Sequence, residues 1–438
     1  MAVKGWICVL GWIVGFASVL RATEEPMPQT PLMKQSPLMV FVATMGDFKT
    51  PAVSGAWRSW NHPGEGAKPH QPDQLDSRGH PDLASVYTPA IGPYDMSDPN
   101  LVEEHCQLMK MAGIDGISFN LNFFDEWRVK SMKLYIEAMK HYDLRGIIRF
   151  EDKFHYDRFP TRDKAIQAIH ADMSSWLGLL EPVQFKVANR PVFMLFTFYQ
   201  TPEELSAWKK KIPESIQPII LTRNTGTEWK DVVDGTYDWC GLEPHILKDH
   251  PPFREYAERK TIEQNLAENL LRARDRLKSG LILFHLFGTS PGFDDTGCWG
   301  WGTGPRKVEN DDGETYRYRW QMANESGMPV VLIPTWNDWM EGTVIEPSVE
   351  FGTKYLELTR EYAAKHKNTT PSTANLHVPE WIYKIRKTTS EPATLAAMIQ
   401  ASEQIAAGKY TEAEAVVKPW AEKLGVMKEG YWNGWRKK

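Results

Sequence analysis

The chain has 438 residues, 42% of them hydrophobic and 24% charged, with a formal net charge of −5. That length buries one large core or two smaller ones, and the acidic balance without any Lys/Arg run excludes the clustered basic face that a nucleic-acid partner requires. Twelve scattered histidines, with no His-x-His or His-Glu-x-x-His element, speak against a metal site.

At the N-terminus, Lys4 precedes an uncharged apolar run from Trp6 to Leu20, and Leu20-Arg21-Ala22 offers a small residue for cleavage. Residues 1–22 therefore read as a secretory signal. The run is shorter than a spanning helix needs, so a secreted or periplasmic protein is expected, with no membrane contact after cleavage. Residues 23–37, rich in Pro, Gln, Thr and Glu, read as a flexible leader. From there buried-strand and amphipathic-helix patterns alternate. Strands are predicted at 38–44, 114–121, 146–150, 192–198, 218–221, 232–239, 281–287 and 329–334. Helices are predicted at 100–112, 127–142, 164–180, 202–211, 260–277, 315–323 and 351–365. Eight strands in this alternation predict an α/β protein, a closed (β/α)8 TIM barrel over residues 38–377. No Gly-x-Gly-x-x-Gly follows the first strand, so a dinucleotide-binding sheet has no support and no redox cofactor is implied. The segments after strand ends at 45–98, 151–162, 288–314 and 335–350 are long and polar, and in a barrel such βα loops carry the chemistry. Beyond residue 378 a helix pair at 395–407 and 411–424, turned at Gly408-Lys409, reads as a small C-terminal helical appendage over 378–438. Cys8 leaves with the signal. Cys106, Cys240 and Cys298 match neither a disulfide framework nor a zinc pattern, and a Cys240–Cys298 bridge stays an open alternative.

The most informative segment follows the last predicted strand, Trp336-Asn337-Asp338-Trp339-Met340-Glu341-Gly342-Thr343. Two carboxylates three residues apart at a strand's C-terminal end can converge on one point. Glycoside hydrolysis needs such a pair, an acid for the leaving oxygen and a base or nucleophile on the other side. Glu346 is a third candidate or a support; the plain alternative for all of them is a solvated loop with a capping Asp. Eighteen Trp suit either a large core or a cleft in which indoles stack on sugar rings. Trp57, Trp60, Trp239, Trp299 and Trp301 are the candidate platforms, the last two in a Gly-rich loop. Asn337 is a ligand for a carboxylate or sugar hydroxyl, or a turn residue. Asp294 and Asp295 bind sugar hydroxyls or a cation, or cap a turn. Glu151 ends a strand and so points into the active face. Gly288-Thr289-Ser290-Pro291-Gly292 fits a serine-hydrolase elbow, but the helix an elbow requires does not follow Ser290.

Ordered motifs then extend over about residues 40–362. They are Gly46-Asp47-Phe48, Trp57-Arg58-Ser59-Trp60-Asn61-His62, and Ile91-Gly92-Pro93-Tyr94-Asp95 with Asp98-Pro99, Glu104-His105 and Met111-Ala112-Gly113-Ile114-Asp115-Gly116. Arg149-Phe150-Glu151-Asp152, Val233-Asp234-Gly235-Thr236-Tyr237, Pro291-Gly292-Phe293-Asp294-Asp295-Thr296 and the stretch from Asn337 to Pro347 follow. This series resembles the endo-α-mannosidase-like glycoside hydrolases of family 99, with features of the α-1,3-glucanases of family 71. The resemblance implies an α-linked glycan or polysaccharide substrate, mannoside or glucan, with endo attack favoured. It implies Glu341 as general acid/base and Asp338 as second carboxylate. It adds His62, Tyr94, Asn120, Trp336 and Glu346 to the residues that line the substrate site. In the mannosidases the second carboxylate is a Glu that acts on the sugar 2-OH with overall retention. Asp338 is one methylene shorter, a withdrawal of roughly 1.5 Å. Thr-Trp-Asn-Asp is closer to the inverting glucanase branch. Phe119-Asn120-Leu121-Asn122 also departs from the Trp-rich second-strand end of the mannosidases, so a different or decorated sugar is expected there. A non-catalytic glycan-binding protein on the same barrel is the alternative.

Overall fold

The computed structural model describes residues 27–223, 225–240, 259–428, 432 and 434, with side chains in the segment starting at 259 described from 266 onward. The expected signal at 1–22 lies outside the described residues.

Eight parallel strands close a barrel. They are β1 (Met39–Thr44), β2 (Gly116–Leu121), β3 (Arg145–Phe150), β4 (Arg190–Leu195), β5 (Ile219–Thr222), β6 (Gly235–Tyr237), β7 (Phe284–Gly288) and β8 (Val330–Pro334). Each pairs with the next, and β8 pairs back to β1 in the register Val40↔Val331, Val42↔Ile333. The strands read as unbroken apolar runs because helices cover one face and the barrel core the other, leaving β5 to β8 buried at every position. Around them run α1 (Pro99–Met111), α2 (Glu126–Tyr142), α3 (Arg162–Leu180), α4 (Pro202–Lys209), α5 (Arg259–Lys278), α6 (Glu314–Ser326) and α7 (Lys354–His366). Between β5 and β6 the described chain forms only the short turn Thr227–Trp229 instead of a helix.

Of the strands that start later than periodicity predicts, β2 and β6 do so for one shared reason. Before β2, the Asp115 carboxylate accepts the Val40 N–H of the neighbouring strand at 2.8 Å and pairs with Lys367 at 2.8 Å. Before β6, Asp234 accepts the Ile220 N–H at 3.0 Å and pairs with Lys209 at 2.9 Å and Arg190 at 3.0 Å. Each Asp precedes a glycine that no other residue replaces. A Cβ on Gly116 would sit 2.3 Å from the Arg145 carbonyl oxygen, and one on Gly235 would sit 2.1 Å from that of Phe284. The Asp-Gly pairs in the two motifs are thus rivets at the N-terminal rim of the barrel.

After α7 come three helices rather than the predicted two: α8 (Val378–Thr388), α9 (Pro392–Ala406) and α10 (Tyr410–Leu424). They share the barrel's apolar core through Ile382, Met398, Ile405 and Val417. Polar ties to α1 reinforce this, Lys387 to Asp98 at 2.8 Å and Gln107 to Ser402 at 2.8 Å. Cys106, Cys240 and Cys298 are all free and buried, so the Cys240–Cys298 bridge is not formed. Among the described residues no helix is long and apolar enough to cross a membrane.

Candidate active site

At the C-terminal end of β8 the chain folds into a tight loop. The Thr335 N–H donates to the Thr343 carbonyl at 2.8 Å, and the Thr335 hydroxyl accepts the Asp338 N–H at 2.7 Å. The Glu341 N–H then donates to Asp338 Oδ1 at 3.2 Å, which holds the two carboxylates side by side. Gly342 completes the turn at φ 61°, where a Cβ would meet the Asp294 carbonyl at 2.7 Å. The Asp294 N–H closes the contact by donating to the Glu341 carbonyl at 2.8 Å. The loop after β7 is thereby tied to the loop after β8.

That β7 loop shapes the surroundings of Glu341. Trp299, Gly300 and Trp301 are all left-handed, at φ 50°, 54° and 59°. The turn leaves the Trp301 indole 43% exposed, its N–H donating to Glu341 Oε1 at 3.1 Å. His62 from the first loop meets the Trp301 ring edge-on at 4.9 Å. Arg306 lies 3.7 Å from Glu341 and is itself held by Asp295 at 2.7 Å. Burial raises the proton affinity of Glu341, while Arg306 and the Trp301 N–H oppose the rise.

Asp338 is more deeply set, 1% exposed against 18% for the Glu341 side chain. Burial first, and then the neighbouring Glu341 charge, push its carboxyl well above the ordinary range; the Glu341 N–H and Arg149 pull the other way. A linked pair in this setting titrates as a unit. Beneath it Arg149, from β3, is fully buried with its guanidinium 4.3 Å from the Trp239 ring centre. Its Nε and Nη1 have no hydrogen-bond partner among the described residues. Glu151, two residues along, is half-buried and bonded to the side chains of Asn120 and Thr197. Its proton affinity is raised by burial against the pull of Arg149.

The other predicted residues divide sharply. Tyr94, Trp336, Asn337, Glu346 and Trp60 are buried behind the loop that follows β8, out of reach of a ligand in the barrel mouth. Glu346 accepts from Tyr94 at 2.6 Å and Trp339 at 3.2 Å, and meets His105 at 3.1 Å. Asn337 accepts the Met45 N–H at 2.8 Å, and the Trp60 indole donates to the Tyr94 carbonyl at 2.8 Å. These five brace the loop rather than line the cleft. Trp239 is 6% exposed and packs on Arg149 and Phe196, which makes it a wall of the barrel mouth rather than a platform. Trp57 turns away, donating to Asp73 at 2.9 Å beside a cavity of about 350 Å³ between the first loop and α8. Trp299 is part-buried, and the exposed ring in its loop is Trp301. Asp294 and Asp295 hold Lys307, at 3.6 Å, and Arg306. Among the described residues no His, Cys, Asp and Glu group can hold a metal ion. Ser290 is buried, its hydroxyl held by Arg319, and no elbow helix follows. Arg149 and Arg306 escaped the sequence reading. An Arg inside a strand reads as a break in the apolar run, and the eleven-residue spacing from Asp295 to Arg306 carries no local signal.

The model of glycosyl hydrolase family 99 matches residues 38–225, and that of glycosyltransferase WbsX matches residues 308–359. The protein WxcX of Xanthomonas campestris pv. campestris is 23% identical over 300 residues, 62% of this chain and 42% of WxcX. The chain thus spans about two fifths of the length of that relative. Glycoprotein endo-α-1,2-mannosidase of Rattus norvegicus is 21% identical over 381 residues, 79% of this chain and 78% of the relative. The solved family 99 endo-α-mannosidase of Bacteroides thetaiotaomicron superposes with a TM-score of 0.57 at 17% identity, over 75% of this chain and 97% of that one. Motifs, family model and closed barrel agree in making the chain similar to the endo-α-mannosidase-like glycoside hydrolases of family 99.

Proposed function

We propose that the chain hydrolyses internal bonds of an α-linked glycan or polysaccharide, of mannoside or glucan type, after export to the periplasm or the medium. The observation that carries this is the joined pair at the end of β8: Asp338 bound to the Glu341 N–H at 3.2 Å, with exposed Trp301 donating to Glu341. Glu341 is the part-exposed member and acts as acid/base; it protonates the leaving oxygen and then activates the incoming nucleophile. Asp338 is the second carboxylate, on the sugar or on water. Arg306 offsets charge as it grows on Glu341, and Glu151 with Asn120 offers a hydroxyl-binding edge across the mouth. The C-terminal helices serve as a brace for the barrel.

Reducing-end release from a panel of α-mannans, α-glucans and sulfated or fucosylated polysaccharides tests the reading. One polymer should be cleaved by the wild type and left intact by Glu341→Gln. Activity retained in that variant refutes the assignment, and binding without cleavage by the wild type favours a glycan-binding protein. A second reading, glycosyl transfer, draws on the WbsX match, whose span includes both carboxylates. It predicts that an added sugar acceptor, not water, ends up in the product.

A further inference from the structure

Ten large apolar side chains are more than a third exposed among the described residues, and four of them are aromatic: Phe124, Phe154, Tyr199 and Trp301. All four lie on βα loops, after β2, β3, β4 and β7 in turn, and so on the rim that carries Asp338 and Glu341. The aliphatic ones are scattered; Val53 and Leu75 lie on the loop after β1, Leu38, Ile216 and Leu283 precede strands at the opposite rim, and Ile399 is on α9. Exposed rings confined to one face mark a binding surface rather than incomplete burial. Trp301 belongs to the site already described. Phe154, 40% exposed, and Tyr199, 53% exposed, do not.

These two rings stand on a rigid base. The Asp152 N–H donates to the Thr197 carbonyl at 3.1 Å, and the Asp152 carboxylate accepts the Tyr199 N–H at 2.8 Å and Gln200 Nε2 at 3.2 Å. Arg162 bonds the Tyr199 carbonyl at 3.0 Å, and Tyr156 meets the Tyr199 ring edge-on at 5.9 Å. The loops after β3 and β4 therefore form one braced shelf, which presents its rings without ordering a flexible segment on binding. In the closed order of the strands, β3 and β4 stand across the mouth from β7 and β8. In an eight-stranded barrel that is a span of roughly 15 Å, enough for several sugar units. Flat rings bare to solvent suit the C–H faces of pyranoses.

We propose that Phe154 and Tyr199 form a distal stacking platform for a pyranose chain, engaging sugar units remote from the bond held at Asp338 and Glu341. The inference rests on the proposed glycan-cleaving function, and its test separates the two. Binding comes first, with Glu341→Gln as background and the α-mannans and α-glucans of the panel cast into native gels. At least one polymer should retard this protein. Adding Phe154→Ala and Tyr199→Ala should weaken that retardation roughly tenfold, while Tyr199→Phe keeps it. Cleavage comes second, on oligomers of graded length from the retarding polymer. The alanine changes should raise KM for the long oligomers and leave kcat, and KM for the shortest, as in the wild type. Binding without cleavage overturns the hydrolase and leaves the platform standing. Retardation by no polymer, retardation that survives both alanines, or a loss that is equal at every length overturns the platform.

Discussion

At the N-terminal rim of the barrel, Asp234 is clasped by Lys209, Arg190 and a backbone N–H, and Asp115 by Lys367 and a backbone N–H. At the C-terminal rim, Arg149 keeps two nitrogens without hydrogen-bond partners among the described residues, and the Asp338 carboxylate accepts a backbone N–H but no side-chain hydrogen bond there. Both rims bury charge in the same barrel, yet one completes every pair and the other does not. Completed pairs leave a stranded charge when one member is removed. Incomplete ones leave proton affinities displaced, which is what acid–base chemistry uses. The two rims should therefore respond oppositely to the loss of a charge.

The sharpest contrast is expected at Asp338. Asp338→Asn should cut turnover by a factor on the order of 10² to 10⁴ on whichever polymer the wild type cleaves. It should not weaken the fold. The folded-state proton affinity of Asp338 is raised above its unfolded value, so the native protein binds the extra proton and loses stability as pH rises through that window. The Asn variant lacks this loss and should overtake the wild type in urea unfolding as pH increases. A variant that is less stable at every pH would mean that the Asp338 charge is structurally compensated. At the other rim, Asp234→Ala strands Lys209 and Arg190, whose side chains are 11% and 25% exposed. The loss should be about 2 to 4 kcal/mol in urea unfolding, with turnover per folded molecule unchanged.

The sequence reading follows the same division. The barrel was legible because parallel strands buried on both faces read as continuous apolar runs, as in Val330-Val331-Leu332-Ile333. Strand starts were misread where Ile114 and Val233 continue the apolar pattern but Asp115 and Asp234 end it through long-range bonds. Asp338 and Glu341 stood out because both carboxylates lie on one local turn. Trp301 and Trp299 were indistinguishable by composition, since only the left-handed backbone decides which indole faces out. Tyr94, Asn337 and Glu346 sit within the motifs, but nothing local says that they bond one another behind the loop. Arg149 stood inside a motif without being singled out, and Phe154 gave no signal; one depends on barrel closure and the other on which loop faces it.

Arg149 offers a finer test of the contrast. Its charge pulls the Asp338 proton affinity down, so Arg149→Met should let that affinity rise. If ionised Asp338 is needed for turnover, the acid limb of kcat/KM then moves to higher pH, and Arg149→Lys restores it. Stability should stay within about 1 kcal/mol of the wild type or increase, because an apolar side chain replaces a buried cation whose Nε and Nη1 are unpaired among the described residues. A large loss of stability with an unmoved acid limb would reassign Arg149 to packing on Trp239.

The smallest effect is expected at Asp152, the brace beneath the aromatic shelf. It resembles the N-terminal rivets in accepting a backbone N–H, from Tyr199, but no Lys or Arg completes it among its bonds. Burial pushes its carboxyl from 3.8 up to about 6, against the pull of its hydrogen bonds to Tyr199 and Gln200. Between those values the folded state holds the proton more tightly than the unfolded chain, so wild-type stability falls as pH rises from about 4 to about 6. Asp152→Asn keeps an oxygen for the Tyr199 N–H and faces its new amide to Gln200, at a cost of about 1 kcal/mol for one lost hydrogen bond. Its unfolding free energy should be lower than that of the wild type near the bottom of the window, cross it inside the window and exceed it near the top, because the pH-linked loss in the wild type outweighs one hydrogen bond. Parallel curves across the window would mean that Asp152 keeps an ordinary carboxylate affinity, and that this rim holds at least one charge as fully compensated as Asp234.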